Sequence, residues 1–240
     1  MVRPKQGGFK LDAVIFDKDG TLFDFRASWG GWTIRLIDSL VALGASGPAL
    51  EEALGFDLRT KQFAADSLVI AATTPEIALR IWPLVGGMPL QTLQDLLNEL
   101  ARTAPMEPAV PLRPVLQALK DRGLTLGLAT NDTEVPARAH LQGAGVLDLF
   151  SFVAGCDSGW GGKPAAGQLL AFCAAVGVPA NRSAMVGDSR HDLEAGGRAG
   201  MARVAVLTGI ATEAELAPHA DVVLQDISLL GAWIDAKRRA

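Results

Sequence analysis

Leu11-Asp12-Ala13-Val14-Ile15-Phe16-Asp17-Lys18-Asp19-Gly20-Thr21 is the stretch from which the rest of the chain can be read. Its first half is a short apolar run rich in β-branched and aromatic side chains, and Gly20 supplies the turn after it, the pattern of a buried strand. Similar runs recur at Leu124 to Thr130, Phe152 to Ala154, Ala184 to Gly187, Arg203 to Leu207 and Asp221 to Leu224. Helical patterns lie between them. Pro111 to Arg122 puts Leu112, Val115, Leu116 and Leu119 on one face and stops at Gly123, and Pro164 to Val176 repeats the arrangement before Gly177. Strands alternating with helices predict an α/β fold, a doubly wound parallel sheet whose ligands lie beyond the carboxyl ends of its strands.

Residues 25–108 read differently, with no convincing strand and apolar residues at helical spacing. The pattern predicts helices over Ser28 to Leu43, Pro48 to Leu54 and Leu90 to Ala101, and another capped by Thr74 with Pro75 at its first position. This is a helical insertion after the first strand. Pro105, Pro108, Pro111 and Pro114 stiffen the return.

Composition narrows the function. Apolar residues make up 49% of the 240 and charged residues 20%, values of an ordinary folded, soluble protein rather than a disordered or fibrous one. The net charge of −4 offers no basic stripe to displace counterions, which argues against a nucleic-acid partner. No apolar run is long enough to span a bilayer, and Met1 to Lys10 carries no hydrophobic signal core, so the expectation is a cytoplasmic protein without a membrane partner. The two cysteines, Cys156 and Cys173, lack metal-ligand spacing and fit reduced thiols. Nothing in the chain speaks to its oligomeric state.

Four strand ends carry the chemistry. Asp17 and Asp19 can approach one ligand if the chain bends after the strand, as Gly20 permits, which suits a nucleophile and a proton donor. Thr130 and Asn131 end another strand, where a hydroxyl and a backbone amide can bond phosphate oxygens. Gly161-Gly162-Lys163-Pro164 puts a cation just before an expected helix, a good place to face an anion. Asp188 and Asp192 in Gly187-Asp188-Ser189-Arg190-His191-Asp192 can meet at one site, where buried acids need a neutralising cation such as magnesium. Each has a plainer alternative as a turn, a helix cap or a solvated lysine. All four fall where one crevice would collect them.

As a set these residues resemble the motifs of the haloacid dehalogenase superfamily, in its phosphoglycolate-phosphatase-like branch. Asp17-Lys18-Asp19-Gly20-Thr21, Thr130, Lys163-Pro164 and Gly187 through Asp192 match its four motifs in order, across nearly the whole chain. The resemblance implies a Rossmann-like core of residues 1–24 and 109–240 with a helical cap of residues 25–108. It implies Asp17 as nucleophile, Asp19 as general acid and base, and Lys163 as the third catalytic residue. Thr130, Asn131 and Lys163 would bind the phosphate, and Asp17, Asp19, Asp188 and Asp192 would form the Mg2+ site.

The implied reaction is magnesium-dependent hydrolysis of a small phosphomonoester through an aspartyl phosphate, phosphoglycolate being the first candidate. A phosphomutase would use the same motifs, and a phosphometabolite-binding protein could keep them without turnover. A dehalogenase fits less well, since halide displacement needs neither a proton donor at Asp19 nor magnesium. Arg26, Trp29, Arg59 and Lys61 are candidate contacts for the organic part of the substrate, and His191 is either near the metal or a surface residue. Lys18 departs from the apolar residue usual in these phosphatases, and strand alternation directs it away from Asp17 and Asp19.

Overall fold

A computed structural model describes residues 10–64, 66–70 and 72–239, so most of the N-terminal segment read above lies outside the described residues. The first strand, β1 (Ala13–Phe16), is buried along its whole length. The chain then enters the insertion: α1 (Phe25–Ala42), α2 (Gly47–Leu54), a hairpin of β2 (Phe56–Asp57) and β3 (Gln62–Phe63), α3 (Thr74–Ile81) and α4 (Leu90–Arg102). It returns through α5 (Leu112–Asp121), β4 (Thr125–Ala129), α6 (Glu134–Gly143), β5 (Phe152–Ala154) and α7 (Gly167–Val176). The last third holds β6 (Ser183–Gly187), α8 (Arg190–Ala199), β7 (Ala202–Val206), α9 (Glu213–Leu216), β8 (Val222–Leu224) and α10 (Leu230–Arg239).

Six strands form one parallel sheet in the order β5-β4-β1-β6-β7-β8. The chain builds outward from β1 through β4 to β5, then crosses back and builds the other way from β6. The reversal lies beside β1, and the crevice beyond the carboxyl ends there is where such sheets hold ligands.

Period-two alternation in β1 explains the two covered faces. Val14 and Phe16 join the cluster formed with α5, α6 and α10, including Leu116, Leu141 and Ile234. Ala13 and Ile15 pack on the opposite side with Leu169 and Phe172 of α7 and Ala195 of α8. Full burial of side chains such as Ile15 and Phe16 contributes roughly 1.5–3 kcal/mol each. The run therefore reads as continuously apolar, as strands covered on both faces do.

The insertion has its own core, in which Trp32, Leu36 and Leu40 of α1 meet Leu50, Ile77, Leu93 and Leu97. It leaves and rejoins the sheet layer side by side: Asp24 N–H donates to Glu107 O at 2.8 Å, and Ala109 N–H to Leu22 O at 2.9 Å.

Several boundaries differ from the sequence reading. The insertion does contain strands, but β2 and β3 are two residues each, too short for alternation to register; ring contacts of Phe63 with Phe56 and Phe25 hold the hairpin in place. Helix α1 begins three residues before Ser28 because Asp24 caps it, Oδ1 accepting from Ala27 N–H at 2.8 Å. Thr73, not Thr74, caps α3, since Thr73 and Glu76 make a reciprocal capping box. Helix α7 begins at Gly167, so Lys163 and Pro164 belong to a loop ahead of it.

Candidate active site

Each strand beside the reversal delivers one group. Asp17 follows β1, and its N–H still donates to Val186 O at 2.8 Å, so the sheet fixes its position. Asp188 follows β6, Thr130 follows β4, and Lys163 lies in the loop between β5 and α7. With Asp19, Asn131 and Asp192 they line one cavity under the insertion.

Lys163 is the hub. Its ammonium donates to Asp17 Oδ1 and lies 2.6 Å from Asp192 Oδ1, all three side chains being buried. Its backbone is clamped by Asn131, whose Oδ1 accepts from Lys163 N–H at 2.8 Å and whose Nδ2 donates to Lys163 O at 3.0 Å. Asp192 is set in the first turn of α8, where its Oδ2 accepts from Ser189 N–H at 3.0 Å and Ser189 Oγ at 2.6 Å. Thr21 Oγ1 donates to Asp188 Oδ1 at 3.3 Å. Thr130 Oγ1 accepts from Asp132 N–H at 3.0 Å, which leaves its own proton to donate.

Asp188 is wedged between two glycines. A β-carbon on Gly20, whose φ is +80°, would lie 2.3 Å from Asp188 Oδ2, and one on Gly209 would lie 1.7 Å from the same atom. Only bare backbone fits on either side.

Burial dominates the electrostatics. It pushes Asp17 up to about 7, against the pull of Lys163 and with help from Asp192 and Asp19. Asp188 is raised well above the usual carboxylate range, first by burial and then by Asp17 and Asp192. For Lys163 burial works downward but is outweighed by Asp17 and Asp192, which hold it above the ordinary lysine value. Asp17, Asp188 and Asp192 each offer a carboxylate oxygen within 4.8 Å of the others. Among the described residues the site gathers Asp17, Asp19, Asp132, Asp188 and Asp192 against the ammonium groups of Lys163 and Lys18. An oxygen-only donor set with this excess of negative charge fits a hard divalent cation such as magnesium.

The structure separates some expectations. Trp29 and His191 line the cavity, whereas Arg26, Arg59 and Lys61 are exposed and do not line it. Lys18 corrects the alternation argument: β1 ends at Phe16, the chain turns, and Lys18 Nζ reaches Asp19 Oδ1 at 2.9 Å. Sequence reading also assigned nothing to Asp132, His140 or Gly209. Asp132 stands next to Asn131, one place beyond the pair singled out at that strand end, and Gly209 follows a strand end in Thr208-Gly209. His140, in the middle of α6, carried no signal.

A family model described as haloacid dehalogenase-like hydrolase matches residues 11–200. The chain belongs to this family. A phosphoglycolate phosphatase from Chromobacterium violaceum is 32% identical over 228 residues, covering 92% of this chain and 95% of the other. Another phosphoglycolate phosphatase, from Rhodospirillum rubrum, is 38% identical over 120 residues, which is 50% of each protein. Among solved structures, CbbY from Rhodobacter sphaeroides in complex with phosphate superposes with a TM-score of 0.73 at 20% identity, covering 94% of this chain and 99% of that one. That likeness speaks to the fold, a Rossmann-like sheet with an inserted cap. The expectation of an enzyme, and of a phosphatase of the haloacid dehalogenase-like family, has the support of these comparisons. No helix among the described residues is long and apolar enough to cross a membrane.

Proposed function

We propose that the protein is a magnesium-dependent phosphatase of small phosphomonoesters that works through an aspartyl phosphate on Asp17. The observation that carries this reading is the pairing of Asp17 with Lys163 at the strand reversal, beside Asp188 and Asp192. In this reading residues 25–108 are the cap, and residues 1–24 and 109–240 are the core.

Asp17 attacks phosphorus, and the bond to the ester oxygen breaks as the new bond to carboxylate oxygen forms. Lys163 and the Thr130 hydroxyl, with Asn131 beside them, hold the phosphoryl oxygens. Asp19 gives its proton to the departing alcohol, then takes one from the water that attacks the phosphorus of the acyl phosphate. Phosphate leaves, and Asp17 is restored. Asp17, Asp188 and Asp192 would hold the magnesium, while Asp19 lines the same cavity outside that cluster, and the bound ion would supply positive charge that keeps Asp17 ionised and offsets the phosphate.

Phosphoglycolate, which gives the relatives their names, is the reference substrate. One observation favours a second class. The cap contributes Phe25, Trp29, Trp32, Val69, Ile77 and Leu97 to the cavity wall and, among the described residues, no arginine or lysine. A glycolyl carboxylate would have no cap cation to meet, so an ester of an apolar alcohol fits that wall better.

The test is phosphate release over a panel that includes phosphoglycolate, alkyl and aryl phosphates, with and without magnesium, in the cytoplasmic pH range. Release should require magnesium and vanish in Asp17→Asn. Full activity in EDTA or in that variant overturns the mechanism, and isomerised sugar phosphate without free phosphate would make the enzyme a mutase.

A further inference from the structure

Lys18 is fully buried, and a buried ammonium is costly unless paired and hydrogen-bonded. Its partners account for the charge. Nζ lies 2.9 Å from both Asp19 oxygens and 3.3 Å from Asp132 Oδ2, and it sits 5.1 Å from the centroid of the Trp29 ring. It also lies 3.0 Å from His140 Nδ1. The other ring nitrogen settles the direction of that contact. His140 Nε2 is 2.7 Å from Ala101 O, a carbonyl that can only accept, so Nε2 carries the hydrogen and Nδ1 accepts from Lys18.

The chain of contacts therefore runs from Asp19 through Lys18 and His140 to Ala101, in the last turn of α4. A side branch runs through Asp132, whose Oδ1 accepts from Thr133 N–H at 2.8 Å and from Thr74 Oγ1 of α3 at 3.5 Å. Lys18 thus has a fixed place set by three helices of the insertion, α1, α3 and α4, and by α6 of the core, and it grips the Asp19 carboxylate from that place.

We propose that Lys18, oriented by His140, is the positioning residue that aims the Asp19 carboxylate at the reacting atoms. The proposal rests on the reading of Asp19 as the group that exchanges protons with the alcohol and the water. Without Lys18 the carboxylate loses its bidentate partner and can turn about its side-chain bonds, while Asp17, Lys163 and Asp188 keep their own contacts.

The step to read is the attack of water on the phosphoenzyme, where the ester's leaving group plays no part. With 4-nitrophenyl phosphate the leaving group needs no proton, so kcat/KM, which ends at its departure, does not depend on Asp19. In Lys18→Met kcat should fall by about 10²-fold, the cost of misplacing a reacting group by about 1 Å. Its kcat/KM should stay within about threefold of wild type, and acid quench should trap more phosphoenzyme at steady state. A loss of packing or folding would instead lower both constants together, and that result, or an unchanged kcat, overturns the proposal.

A second pair of variants covers a failure of Lys18→Met to fold. Gln at position 140 can accept from Lys18 and donate to Ala101 O, whereas Leu can do neither. His140→Leu should lower kcat by about tenfold or more, and His140→Gln should recover most of it. Equal activities of the two variants overturn the proposal. An active Asp17→Asn enzyme would sink the underlying mechanism instead, so the two failures are told apart.

Discussion

Gly209→Ala probes the packing around Asp188 with a single methyl group. The β-carbon would stand 1.7 Å from Asp188 Oδ2 and 2.4 Å from its Cγ, against an ordinary contact of 3.4 Å or more. The carboxylate must retreat by about 1.5 Å from the new methyl group. Overpacking of this kind costs about 1–3 kcal/mol of stability. Function should suffer more. Displacing a reacting or metal-binding group by about 1 Å costs about 10²-fold in rate, and disturbed support of a ligand costs about 10–100-fold in metal affinity. The assay is phosphate release titrated with magnesium, alongside a thermal melt. Gly143→Ala, where nothing lies within 4 Å of the added carbon, serves as the control and should behave as wild type. A folded Gly209→Ala enzyme with wild-type kcat and wild-type magnesium half-saturation would refute the placement of Asp188 at the metal.

Lys163→Met leaves Asp17 and Asp192 buried without their ammonium, and breaking such a pair costs about 3–5 kcal/mol. Asp17 is already raised to about 7 in the folded protein, so the folded state holds a proton that the unfolded state gives up near 4. The deficit in urea melts without magnesium should therefore widen as pH rises above about 7, where Asp17 of the wild type ionises beside Lys163 while that of the variant keeps its proton, and narrow below it; a deficit independent of pH contradicts the pairing. His140 runs the opposite way. Burial and then Lys18 depress it to about 4, so it contributes stability above 6.5 that is lost as pH falls through 4, on the order of 3 kcal/mol. The stability difference between wild type and His140→Gln should shrink across that window, and a constant difference would contradict a neutral buried imidazole.

Most of the sheet was legible because strands covered on both faces are continuous apolar runs, and Ala13–Phe16, Ser183–Gly187 and Thr125–Ala129 each end one residue before a polar group. The same strand ends brought Asp17, Thr130, Lys163, Asp188 and Asp192 to one cavity. What stayed hidden depends on turns and on distant pairing. Alternation could not follow Lys18 once the chain left the strand at Phe16. His140 is separated from Lys18 by 122 positions, and no local pattern announces that contact. Basic residues of the cap, Arg26, Arg59 and Lys61, look like substrate contacts by charge, yet the surface of the insertion is where the fold leaves them. The hairpin of β2 and β3 has two residues in each strand, too few for alternation to register, and ring contacts among Phe25, Phe56 and Phe63 hold it in place.

Covalent trapping tests the account most directly. Enzyme mixed with a phosphorus-labelled ester and magnesium, quenched in acid within one turnover and digested, should yield label on the peptide that contains Asp17, and Asp17→Asn should yield none. Rapid release of phosphate from a polypeptide that never carries the label would contradict it.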